Sequence, residues 1–113
     1  MLKFIKNNLT LIFIFLQLSI PLKADFNNSV NTVKKEINRS DIKTAIKLLG
    51  EIKITNENEK ERIDLLFGDI YLKINKPEKA IEFYERAFMT SDEDVESLSE
   101  LGLAESYLRR GNL

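Results

Sequence analysis

The sequence predicts an all-α chain of consecutive short helices. Three observations carry that prediction. Apolar residues recur at three- and four-residue steps through most of the chain, which is the helical period. No stretch alternates apolar and polar residues for long enough to form a strand. Two Pro and four Gly in 113 residues leave too little turn punctuation for a many-stranded β fold. The length allows one domain. A content of 43% hydrophobic and 31% charged residues is an ordinary globular balance, not that of a disordered chain.

Residues 1–24 are expected to stand outside that domain. Lys3 and Lys6 precede an apolar run, Leu9 to Ile20, interrupted by Thr10, Gln17 and Ser19. Pro21, Leu22, Lys23 and Ala24 follow. A basic start, a short apolar middle and a small residue at the cut are the layout of a secretory signal. The run is short of the roughly 20 apolar residues that a membrane span needs. An uncleaved anchor over residues 4–22, in the inner membrane, is the competing expectation. No Cys lies near the end of the run, so the lipid-anchored form of such a signal is excluded. Cleavage after Ala24 removes three bases and no acid, moving the net charge from −1 to −4. The expected location is therefore periplasmic or secreted. The abundance of Ile, Lys and Asn resembles AT-rich coding and hints at a bacterial source.

The helices are read in order along residues 25–113. Val30, Val33 and Ile37 make a weak first stripe. Arg39-Ser40-Asp41 supplies a turn and an N-cap. Ile42, Ala45, Ile46, Leu49 and Ile52 stripe the second helix. Gly50 sits inside it, at a cost of about 1 kcal/mol relative to Ala. Thr55 to Asn58 are a polar break. Ile63, Leu66, Phe67, Ile70, Tyr71 and Ile74 build the third and clearest stripe. Asn75 and Lys76 end it, and Pro77 is placed for the first turn of the next helix. There Ala80, Ile81, Tyr84, Ala87 and Phe88 face one way. Ser91 and Asp94 have capping-box spacing. Asp92, Glu93, Asp94 and Glu96 load a first turn where the helix dipole favours acids. Leu98, Leu101, Ala104, Tyr107 and Leu108 then carry a fifth helix to Gly111.

A self-comparison sharpens this pattern. Phe67-Gly68, then Tyr71, Ala80, Tyr84 and Ala87 resemble the tetratricopeptide repeat, whose period is about 34 residues. Two positions depart from it: Asp64 takes the large-residue slot, and Asp92 replaces the proline after the second helix. Ala45, Leu49 and Ile52 stand 35 residues before Ala80, Tyr84 and Ala87. Ala104, Tyr107 and Gly111 stand 36 residues after Gly68, Tyr71 and Asn75. A rival register pairs Gly68 with Gly102 at 34, but puts Glu105 in the tyrosine slot. The 36-residue offset is the expected one. Residues 27–54 then form a degenerate repeat, 57–90 the best one and 92–113 a partial one.

The resemblance implies antiparallel helix-turn-helix units stacked as a short right-handed solenoid, preceded by the signal or anchor helix. It implies packing roles for these residues. Gly68 and Ala80 allow close approach, and Tyr71 and Tyr84 fill the space between helices. Each hairpin buries its apolar face only against a neighbour. Gly111-Asn112-Leu113 resembles the turn inside a repeat with no second helix after it. The expectation is a fragment of a longer array, and the competing reading is a solvent-facing cap helix, which repeat arrays require.

Such stacks bind ligands in a groove lined by the first helix of each pair. The candidate surface carries Arg62, Leu65, Asp69, Leu72 and Lys73, joined in the next repeat by Glu105 and Arg109 among Leu98, Leu101 and Leu108. Mixed charge over an apolar floor suits an extended or helical peptide. One subgroup of the family grips peptide carboxylates with Lys and Asn, but Asp69 stands where that clamp wants a neutral amide. The expected partner is another protein or peptide, and the expected role an exported, non-enzymatic adaptor or scaffold. The alternative is the N-terminal repeat module of a longer secreted or membrane-anchored enzyme.

Other chemistry has little support. With no Cys and no His, disulfides, thiol nucleophiles, zinc fingers and imidazole catalysis are absent. A net charge of −1 gives no nucleic-acid surface. The acids at 92–96 lack the alternating ligand loop with central Gly of a calcium site. Asp64 and Asp69 lie on different faces of one helix, so no carboxylate pair converges. No cofactor or metal is expected. Contact with a membrane is expected only through an uncleaved N-terminal segment.

Overall fold

The computed structural model describes residues 22–111. The expected leader lies outside them, apart from residues 22–24, which open the first helix. Five helices follow one another: α1 Leu22–Asn38, α2 Ile42–Glu51, α3 Glu57–Lys73, α4 Pro77–Phe88 and α5 Glu93–Gly111. The described residues contain no strand, so this part of the chain is all-α.

The first two helix pairs are closed by the same device. Ser40 and Asn75, 35 residues apart, take left-handed φ values of 63° and 61°. After α1, the Ser40 N–H donates to Ile37 O at 2.9 Å and the Asp41 N–H to Glu36 O at 2.9 Å. After α3, the Asn75 N–H donates to Leu72 O at 3.1 Å and the Lys76 N–H to Tyr71 O at 2.8 Å. Both are Schellman closures without glycine. Asn tolerates that conformation through its short polar side chain.

Caps set the starts. Asp41 begins α2 by accepting from the Thr44 N–H. Asn56 begins α3 by accepting from the Glu59 N–H at 2.9 Å. The buried Glu59 carboxylate reaches back to the Thr55 N–H and hydroxyl. Pro77 opens α4, where its missing N–H has no helical partner to lose. The cap of α5 is one residue later than the sequence predicts. Asp92, not Ser91, accepts from the Asp94 and Val95 N–H groups at 3.0 and 3.3 Å. Thr90 fixes Asp92 by accepting its N–H and donating to Glu61.

Two apolar clusters meet on opposite sides of α3. Ile63, Leu66 and Ile70 pack with Phe26, Val33 and Ile37 of α1 and with Ala45 and Leu49 of α2. Leu65 and Leu72 pack with Ala80, Tyr84 and Ala87 of α4 and with Val95 of α5. A helix covered on both sides needs apolar residues on both, which explains its dense stripe. Phe83, absent from the expected stripe of α4, stacks on Phe67 and Tyr71 with centroids 5.1 and 5.5 Å away. Phe88 and Ile46, expected inside, are exposed. Each lies at the edge of its stripe, and no helix among the described residues covers it.

The register of α5 differs from the expected one. Gly102 is buried while Ala104 and Tyr107 are exposed. The Tyr84 ring, 1% exposed, lies against the backbones of both Gly68 and Gly102, and a Cβ on either glycine collides with it. The structure therefore pairs Gly68 with Gly102, at 34 residues rather than 36. Close backbone approach to the ring decides the register. The aromatic slot that Tyr107 was expected to fill has no helix beyond it among the described residues.

Candidate functional site

Helices α1, α3 and α5, with Tyr84 of α4, line a groove of about 560 Å³. Of the ten residues that the sequence places on this surface, all but Leu108 border it. From α3 come Arg62, Leu65, Asp69, Leu72 and Lys73; from α5 come Glu105 and Arg109. Helix α1 adds Val30 and Lys34. The grouping does not follow from the expected repeat equivalence. In the observed register Ser99 and Ser106 correspond to Leu65 and Leu72, and both serines are buried. Their hydroxyls donate back to the carbonyls of Val95 and Gly102 within α5. Glu105 and Arg109 reach the groove because the face of α5 carrying Leu98 and Leu101 turns towards α3. Leu108 does not line it.

The floor and one wall are apolar. Leu65 and Leu72 are buried at the base, whereas Leu98 and Leu101 of α5 are 50% and 67% exposed. Side chains this exposed gain little by folding, and their hydrophobic surface remains free for another molecule.

The charges are unequally engaged. Arg109 donates to Leu72 O at 2.7 Å, answering an end carbonyl of α3, and to Glu105 at 2.7 Å. Arg62 leans over the Phe26 ring, 5.8 Å from its centroid. Asp69 sits at mid-groove, and one of its carboxylate oxygens accepts from the Tyr84 hydroxyl at 2.5 Å. Burial pushes its carboxyl above the ordinary Asp value, Tyr84 and Lys34 oppose the rise, and Glu105 adds to it. Burial and the Asp69 charge together push the Tyr84 phenol up. Asp92, at the opposite end, is held below the ordinary value by the Asn58 side chain and the Val95 N–H. Asp64 faces away towards α4. Burial raises its carboxyl against the pull of Arg86.

Sequence reasoning passed over two contributors. Tyr84 was assigned to packing alone, and nothing in its spacing shows that its hydroxyl meets Asp69, 15 residues earlier. Lys34 lies one turn after Val30 on a helix whose weak stripe left its faces unresolved. Among the described residues no group of three or more metal-ligating side chains converges. The groove offers apolar surface, a central carboxylate and cations at its rim. That chemistry can hold a chain segment. No protein-family model, curated protein or solved structure matches the chain.

Proposed function

We propose that the chain is an exported, non-enzymatic adaptor of the tetratricopeptide class, holding a partner peptide or helix in the α1–α3–α5 groove. One observation carries the reading. Seven residues drawn from two helices border one groove with a buried apolar base and a half-exposed leucine wall. The two helix pairs with equal closing turns, followed by a fifth helix pressed on the same tyrosine, support the repeat class. Charge reversal at Asp69→Arg with Lys73→Glu tests it. The altered chain keeps its helical circular dichroism and releases partners captured from envelope extract. Retention of every partner would overturn the groove assignment. A free Asp25 amino terminus on exported protein tests the cleaved leader.

A second reading is favoured by the exposed face of α5. Leu101 and Leu108 are 67% and 68% exposed, on a surface that a following helix covers in a repeat array. On that reading the chain is the N-terminal module of a longer secreted or membrane-anchored enzyme. A catalytic domain encoded after Leu113 would decide for it.

A further inference from the structure

We propose that Asp69 is the anchoring acid of the groove, and that the segment docking there carries a lysine or arginine in the middle of an apolar face. The proposal rests on the groove reading above and adds the chemistry of its partner. The Tyr84 hydroxyl holds Asp69 Oδ1 from beneath, across 2.5 Å. The second oxygen receives no hydrogen bond among the described residues, and it is not a sealed, unsatisfied atom. It therefore opens into the groove. It shares that groove with Leu65 and Leu72 at the base and Leu98 and Leu101 on the wall. A carboxylate fixed in such surroundings gains most from a charge-assisted donor, and a cation supplies charge and donor together.

Among the described residues, none of the four cations that line the groove, Lys34, Arg62, Lys73 and Arg109, forms an ion pair with Asp69. Arg109 is engaged by Glu105 and Leu72 O. Lys34 lines the groove from α1 but makes no ion pair with Asp69. Glu105, the acid facing it from α5, is already paired with Arg109 at 2.7 Å, so Asp69 is the acid at mid-groove without an ion-pair partner among the described residues. Apolar walls alone accept any greasy segment, whereas a central acid rejects those without a matching charge.

The test is selection of a random-peptide library on the full chain and, in parallel, on its Asp69→Asn variant. Asn keeps an acceptor oxygen for Tyr84 and replaces the second, charged oxygen with a neutral NH2 donor. The expected result is peptides with one Lys or Arg flanked by apolar residues from the parent chain, and loss of that basic position on Asp69→Asn. The best peptide should lose about tenfold in affinity on Asp69→Asn, and a Lys→Gln peptide should lose nothing further on that variant. Enriched peptides without a basic position, or with one that persists on Asp69→Asn, overturn the proposal and leave the groove reading standing. Peptides whose binding survives Leu101→Arg, or no enrichment at all, overturn both.

Discussion

The Tyr84 hydroxyl donates to an Asp69 carboxylate oxygen across 2.5 Å. The bond joins the ring that sets the spacing of α3, α4 and α5 to the acid at the centre of the groove. Tyr84→Phe keeps the ring and removes the donor. Hydrogen bonds to charged groups contribute about 1.5–3 kcal/mol. The partial solvent access of Asp69 places the expected loss near the lower end. Urea unfolding should show a lower midpoint with an unchanged slope. The Asp69 carboxyl, deprived of the contact that opposes its upward shift, should titrate higher still by NMR. If stability and titration both stay put, the bond contributes nothing.

Two glycines inside helices respond in opposite directions. A Cβ at Gly102 falls 2.5 Å from a Tyr84 ring carbon, and the ring is enclosed. Gly102→Ala should therefore cost about 1–3 kcal/mol through overpacking. A Cβ at Gly50 meets nothing within 4 Å. Gly50→Ala should raise stability by about 0.5–1 kcal/mol, since Gly is the poorer helix former. Equal effects of the two substitutions in thermal melts would refute the register assigned to α5.

The same glycines show where the sequence was legible. Helical periodicity located the later helices because their buried positions repeat every three or four residues. Asp41 and Pro77 marked helix starts through local chemistry that needs no tertiary context. The register of α5 was misread because Gly102 and Ala104 are both small, and Tyr107 offered an aromatic that looked like the counterpart of Tyr71. Only the third dimension shows that the Tyr84 ring claims Gly102. The groove residues of α3 were readable from one face of one helix. Lys34 and the Tyr84 hydroxyl were not, since they reach the groove from other helices across long sequence separations.

Acid dependence should expose the burial of Asp69. Its carboxyl is raised above the ordinary value of 3.8, first by desolvation. The folded chain thus holds the proton more tightly than the unfolded one. The associated stability is complete below 3.8 and is lost as the pH rises through the elevated value. Asp69→Asn removes that ionisation cost. The variant should be more stable than the parent at neutral pH, and the gap should narrow as the pH falls towards 3.8. Asp92 works the other way. Its lowered carboxyl contributes stability above the ordinary value, lost as the pH falls through the depressed one. An Asp69→Asn difference that does not vary with pH would remove the desolvation argument.

Binding and folding should separate on α5. Leu101 is 67% exposed and borders the groove, whereas Ile70 is fully buried between α1, α2 and α3 and does not line it. Ile70→Ala removes buried methylenes from a tight cluster and should cost about 2–5 kcal/mol, a large fraction of what a small domain possesses. Leu101→Arg exposes nothing new and displaces no neighbour, so stability should stay within about 0.5 kcal/mol of the parent. It places a cation and a long chain on the groove wall, and peptide affinity should fall about tenfold or more. Isothermal titration beside chemical denaturation measures both quantities on the same sample. If Leu101→Arg unfolds the chain, its face is part of the core; if it binds peptide undiminished, that wall makes no contact with the ligand.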